Sequence, residues 1–306
     1  MSWLFAWIFW TGCSAGALAW LAIHHLTLGR WGEGWRRLAG AAARGLPLML
    51  LAGGLWAGQV DQLYAWQHFP PHRRVLYAAG PVLSRSLLAL LVWSVLAFWL
   101  SGSRRRQGPA AFCLLSLLSL GSLLAFDLVM SLDPEFYSSL FGLIVLLGWS
   151  LSALCLLVLL SPADDPERLH DWGGLLLCCL MLQAYVDFSQ LLIVWSGNLP
   201  EEGGWLLLRV WGAWQPLAAL LFLGFGALPF LLLLAGPLKR RAAFLRPLAA
   251  WLLVGCGLHL YWLMWPCWSR EFRLEPTALL SWLVLGAGWL ASFAFWRSRL
   301  GQLRAE

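Results

Sequence analysis

The stretch LLLCCLMLQAYVDFSQLLIVWSGNLPEEGGW, Leu175 to Trp205, sets a long apolar run against a sudden polar break. About 20 apolar residues in a helix, at 1.5 Å each, cross the ~30 Å hydrocarbon core of a bilayer, and the run to Trp195 is long enough to do so. It then meets an amide, a proline and two adjacent glutamates: Asn198, Pro200, Glu201 and Glu202. A chain that alternates such runs with such breaks reads as a polytopic membrane protein. The rest of the sequence repeats the pattern.

Composition agrees. Hydrophobic residues make up 60% of the 306 and charged residues only 12%, about half the usual share of a soluble domain, and there are 23 tryptophans. Apolar runs fill most of the chain and leave no stretch for a separate soluble domain. The predicted fold class is all-α, a single integral membrane domain over residues 1–306. The net charge of +6 does not point to nucleic acid, because the basic residues form short clusters between apolar runs, where they set membrane orientation. The opening segment MSWLFAWIFWTGCSAGALAWLAI lacks a positive n-region and stays apolar beyond signal-peptide length, so it reads as a retained span. The seven cysteines (13, 113, 155, 178, 179, 256 and 267) show no metal or haem-attachment spacing and read as small apolar packing residues.

Nine spans are predicted, at 3–23, 38–58, 82–101, 109–130, 138–161, 172–196, 207–236, 246–266 and 277–297. The seventh is longer than needed, and Gly212, Pro216 and Gly224 leave room for a kink or tilt. Short connections such as PADDPER, SGNLPEE, AGPLKRR and WPCWSR fall where spans should end. The longer connection from Gln59 to Gly80 carries YAWQHFPPHRR, a mix suited to the membrane interface. Fourteen Lys/Arg fall on one side of the nine spans and 6 on the other, with Arg44 inside the second span. The positive-inside rule then places the N-terminus outside and the C-terminus in the cytoplasm. SLDPEFYSS, SGNLPEEGGW and PCWSREFRLEP share the outer face, bringing Asp133, Glu135, Asn198, Glu201 and Glu202 there as candidate subunit contacts.

A charge deep in a bilayer costs at least ~2.5–3.5 kcal/mol on insertion scales, so each needs a partner or a purpose. Asp127, Asp187, His259, Arg85 and Arg209 all fall in the outer half of the predicted spans, while Arg44 lies in the inner third of the second. Gln183, Asp187 and Gln190, four and then three residues apart, share one helical face. Such a stripe fits interhelical hydrogen bonds that fix packing. It equally fits a polar route, with Asp127 and His259, for protons or a quinone headgroup. Arg85, Arg209 and Asp127 also fit snorkelling to the interface. Membrane b-type haems usually need paired histidines on facing helices. Only His259 is deep; His24 and His25 end the first span, and His68, His72 and His170 belong to loops. No intrinsic haem is expected, and no iron–sulfur or phosphate-binding motif is present.

FDLVMSLDPEFYSSLFGLIVLLGWSLSAL (Phe126–Leu154) and DFSQLLIVWSGNLPEEGGWLLLRVWGAW (Asp187–Trp214) resemble the two signature stretches of ActF-type, NrfD-like membrane subunits of alternative complex III, a bacterial quinol:cytochrome c oxidoreductase. GLHLYWLMWP (Gly257–Pro266) is a weaker third match, and GRWGEGWRR and HRRVLYAAGPVLSRSLL fall in matching order. The resemblance implies that the nine predicted transmembrane helices are built around two NrfD-like four-helix bundles, with no haem or cluster of their own. It implies a bacterial inner-membrane location beside a second NrfD-like subunit, an iron–sulfur protein and a multihaem cytochrome, with a terminal oxidase as a further partner. Haem and iron–sulfur clusters would sit in those partners and quinone nearby. It also implies a proton-conducting role for polar residues inside the subunit, and by that likeness Asp127, Asp133, Asp187, Gln190, Asn198, Glu201 and Glu202 are the positions that matter. Relatives usually have ten spans, so by the resemblance nine predicted spans are one fewer than expected, at the N-terminal end. Glu135 and Phe136 stand where histidine and tryptophan are common, and His259 stands where an aspartate is common. Two other readings stay open: a stand-alone secondary transporter or channel, and a chain that itself forms the quinol pocket.

Overall fold

The computed structural model describes residues 1–66, 69, 71–102, 105–162 and 165–302, with the side chains of Pro71, His72 and Glu201 left aside. Of the residues singled out above, His68 and the side chains of His72 and Glu201 lie outside that description, as does Arg104 among the counted cations. The described chain is helical, and nine of its helices are long and apolar enough to cross a membrane. They run Ser2–Thr27, Arg36–Ala57, Ala79–Leu100, Gln107–Leu132, Phe141–Leu160, Pro166–Gly197, Gly212–Leu234, Ala242–Cys267 and Pro276–Gln302. The protein is a multi-pass, all-α membrane bundle.

The first span is the hub. It is apolar all round, 94% of its most hydrophobic window is buried, and it packs against the second, fourth, fifth and ninth spans. Two glycines one turn apart permit the closest of these contacts. A Cβ at Gly12 would lie 2.1 Å from the Trp149 ring, and one at Gly16 would lie 2.3 Å from the Trp149 carbonyl oxygen. Small residues at i and i+4 let two helix backbones approach in this way. Indole N–H groups then tie the hub to its neighbours. Trp3 and Trp7 donate to the carbonyls of Ala52 and Met49, Trp10 to that of Trp282, and Trp20 to that of Ser150. Much of the tryptophan content therefore serves interhelical bonding and not only a lipid-facing belt.

Three predicted elements differ from what forms. The second span is not one helix: Arg36–Ala43 and Leu46–Ala57 meet at a turn over Arg44 and Gly45, where Pro47 enters the first turn of the second half. The seventh span does not begin at residue 207. A separate short helix, Pro200–Val210, precedes it, and Trp211 (extended) and Gly212 (φ 69°) break the chain between them. Apolar composition runs straight through that turn, so hydropathy could not see it. The span also contains a π-helical stretch, Leu221–Ala227. Third, the connection after Gln59 does not rest its aromatics on lipid. Tyr64, Trp66 and Phe69 are buried against the bundle.

The polar break at the end of the sixth span is now explained. Asn198 closes the Pro166–Gly197 helix in the left-handed region (φ 47°), with its N–H on the Val194 carbonyl. Leu199 is extended, the conformation favoured before proline, and Pro200 opens the next helix. Glu201 and Glu202 fall in that helix's first turn, where the dipole favours acids. The predicted outer loop is a helix cap followed by a helix start.

Candidate functional site

Three polar constellations lie toward the end of the bundle that carries residues 129–140, 198–211 and 265–275. In the first, Arg85 of the third span grips Asp127 of the fourth. Its Nε donates to Oδ2 at 2.7 Å and its Nη2 to Oδ1 at 2.8 Å, a two-pronged pair, and Nη2 also reaches the Leu76 carbonyl at 2.7 Å. Asp127 is buried. Neither residue snorkels; each is the other's partner. The aromatic connection closes over them: Tyr64 donates to the Leu128 carbonyl at 2.9 Å, and the Trp66 N–H donates to Ser131 Oγ at 3.1 Å. Burial, and then the neighbouring Asp127 charge, push the Tyr64 phenol well above its usual range.

The second constellation joins the sixth and eighth spans. Gln183 Nε2 donates to both Asp187 oxygens at 3.1 Å. His259 Nε2 stands 3.6 Å from Asp187 Oδ2, longer than a hydrogen bond but within ion-pair range once the imidazole is protonated. The His259 ring lies parallel to that of Trp262. Further along the same face, Gln190 Oε1 accepts from Ser138 Oγ at 2.5 Å. Gln183 and Gln190 are buried, whereas the Asp187 side chain is 36% exposed. It emerges on an apolar face bearing Leu182, Tyr185 and Phe188. An acid and a base side by side at such a surface can pass a proton to or from whatever lies against it.

The third centres on Arg209. It belongs to the Pro200–Val210 helix and not to the seventh span, and it is completely buried. Nη1 donates to the Trp205 carbonyl and Nη2 to the Leu263 carbonyl, both at 2.9 Å, and Nη2 lies 3.2 Å from Cys267 Sγ. The guanidinium sits 3.9 Å from the centre of the Trp205 ring, while its Nε has no partner. Trp205 in turn stacks on Phe136 at 4.0 Å, and the Trp262 N–H donates to the Arg209 carbonyl. A cavity of about 310 Å³ opens beside this knot, with Asp133, Cys267 and Arg270 in its wall.

The predicted residues therefore fall into separate groups. Asp187, Gln183 and His259 come together; Asp127 and Arg85 form a pair of their own; Arg209 stands in a third. Asp133 uses Oδ1 to accept the Glu135 N–H at 3.1 Å and so shapes its own turn. Glu135 and Asn198 are exposed, and Glu202 is half-buried. Sequence reasoning missed Phe136, Ser138, Trp205, Trp262 and Cys267, because their partners are distant in the chain. It also missed that Cys13, Cys155, Cys179 and Cys256 gather inside the bundle from four different spans. Among the described residues, no three His, Cys, Asp or Glu side chains have the geometry to hold a metal ion. Comparison with protein-family models and with curated proteins finds no match to this chain.

Proposed function

We propose that this chain is a cofactor-free membrane subunit of a quinol-oxidising respiratory complex resembling alternative complex III, with Asp187 and His259 as its proton-handling pair. One observation carries the reading. The three stretches that resemble the family, separated by dozens of residues, meet at one place: Phe136 from the first stacks on Trp205 from the second, and Arg209 from the second bonds to Leu263 in the third. The Gln190–Ser138 and Asp187–His259 contacts join the same stretches twice more. Motifs shared by accident have no reason to converge.

The partly exposed Asp187 side chain supports a neighbour. Left in acyl chains, it would be costly by at least ~2.5–3.5 kcal/mol. A polar group from a second membrane subunit, or a quinol headgroup held between the two, removes that cost. The charge asymmetry of the connections supports a periplasmic orientation for this end, the side on which haem and iron–sulfur partners would sit. The helix breaks do not favour a secondary transporter. Its discontinuous spans would meet around a polar midplane site, whereas the π-helical stretch Leu221–Ala227 carries no polar side chain and the Arg44 side chain leaves the mid-span turn for Ser101, at the end of the third span.

The test is purification of the tagged full-length chain from native membranes in mild detergent. Co-purification of haem- and iron–sulfur-bearing subunits with quinol:cytochrome c activity is the expected result; recovery of the chain alone overturns the reading. In the intact complex, Asp187→Asn should lower proton release per electron by several-fold and leave assembly unchanged. Equal coupling in variant and wild type leaves the pair without a proton-handling role.

A further inference from the structure

The opposite end of the bundle holds a set of arginines that divide into two kinds. Arg36 donates to the Gly102 carbonyl, and Arg105 to the carbonyls of His25 and Leu26. These cap helix ends, where carbonyls lack intrahelical donors. Arg44, Arg106 and Arg299 do something else. Each lays its guanidinium against an aromatic ring at the ends of the third and ninth spans: Arg44 between Phe98 (4.8 Å) and Trp296 (5.1 Å), Arg106 on Trp99 and Arg299 on Phe295. None of the three has a carboxylate partner among the described residues.

Arg44 is the most constrained. It stands at the turn that breaks the second span, held by Nε on Ser101 Oγ at 2.7 Å and by the two rings. Its two terminal amino groups find no protein acceptor among the described residues, and they are not sealed from the surface. A guanidinium fixed in plane, with its outer edge free, matches the two unbridged oxygens of a phosphodiester. The surroundings suit the rest of a lipid. Leu87, Leu91, Val95 and Trp99 are exposed at four-residue intervals, an apolar stripe along the third span that leads to this end.

We propose that Arg44, with Arg106 and Arg299 at the same end of the bundle, binds the phosphodiester of an anionic phospholipid whose acyl chains lie along the third span. Charge complementarity selects the occupant: three cations without carboxylates, on aromatic rings at headgroup level, favour an anionic lipid over a zwitterionic one.

Native mass spectrometry of the full-length chain, exchanged into detergent with phosphatidylglycerol or phosphatidylcholine, tests this. Phosphatidylglycerol adducts should survive activation that strips phosphatidylcholine, and Arg44→Gln should reduce their retention roughly tenfold. Arg240→Gln, at the same end but paired with Glu167, should leave retention unchanged. Equal retention of both lipids, or an Arg44→Gln variant that holds phosphatidylglycerol as well as wild type, overturns the proposal. So does inorganic phosphate displacing the lipid at equal concentration, since the site would then recognise a free anion. Should Arg44→Gln fail to fold, Arg106→Gln and Arg299→Gln each carry the test. Either must weaken retention by a smaller factor, and no change in both refutes the site.

Discussion

At the residue scale, the two membrane-depth aspartates have opposite fates. Asp127 is buried and held by both prongs of Arg85, so its charge is fully compensated. Removing one partner of such a pair leaves an unmatched charge and costs about 3–5 kcal/mol, whereas replacing both with apolar residues is often neutral. Asp127→Asn and Arg85→Met should each lower the melting temperature in detergent markedly, and the double change Arg85→Met with Asp127→Leu should recover most of it. Additive losses would show that the pair does not act as a unit. Asp187 is the contrast: it is partly exposed and tied only to Gln183 and a 3.6 Å histidine, so Asp187→Asn should hardly move the melting temperature. Tyr64 adds a pH dependence. Its folded-state pKa lies well above the unfolded value near 10, so the folded form holds its proton where the unfolded form loses it. The resulting stability is complete below pH 10 and is lost as pH rises toward the folded value. Tyr64→Phe should flatten the alkaline fall in thermal stability above pH 10. It should also cost about 1 kcal/mol at neutral pH through the lost bond to the Leu128 carbonyl. An unchanged alkaline slope would place the titration elsewhere.

At the scale of elements, the sequence was legible wherever hydropathy alone decides. Nine spans are expected, and nine helical segments long and apolar enough to cross a membrane are found among the described residues, because a run of about 20 apolar residues has few alternatives to a helix in lipid. The breaks were only partly legible: Gly212 and Gly224 mark room for a kink in the seventh span, but not that the chain turns outright at its start. WLLLRVWGAW reads as continuous, yet the chain turns at Trp211 and Gly212, and the turn moves Arg209 from the tip of a span to the middle of a packed knot. Hydropathy averages over the one or two residues that make such a turn. The Gln183–Asp187–Gln190 stripe was visible from its spacing alone, whereas Ser138, which accepts the task of bonding Gln190, could come only from tertiary structure. The contact of the first and fifth spans depends on a feature between these extremes. Gly12 and Gly16 have the spacing of a close-packing motif, but only the fold shows Trp149 lying on them. Gly16→Leu should prevent stable folding, because its side chain would meet the Trp149 backbone carbonyl, which cannot rotate away. Gly12→Ala meets a ring and not backbone, so it should be milder, at about 1–3 kcal/mol. Size-exclusion profiles of the two variants in one detergent check the order; a monodisperse Gly16→Leu protein would mean the helices can separate without loss.

At the scale of the whole molecule, burial is graded from a hub to a rim. The first span is 94% buried over its window, against 33%, 22% and 28% for the sixth, seventh and ninth. The rim faces lipid or other subunits, and it is there that Asp187 emerges. Which compartment the Asp187 end faces depends on orientation, and orientation rests on the distribution of cations, a quantity that folding does not alter. The fold nevertheless makes the topology strongly testable. Glu135 and Asn198 are exposed at one end, and Ser298 is exposed at the other. A single membrane-impermeant thiol reagent, with the native protein as the blank, should therefore label Glu135→Cys and Asn198→Cys in intact cells and label Ser298→Cys only after permeabilisation. The reverse pattern would keep the bundle and invert it, moving the Asp187–His259 pair to the cytoplasmic side and removing the basis for periplasmic partners. A pattern in which Glu135→Cys and Asn198→Cys disagree would be graver. The two positions are joined through Gln190–Ser138 and Phe136–Trp205, so no orientation of this fold can separate them.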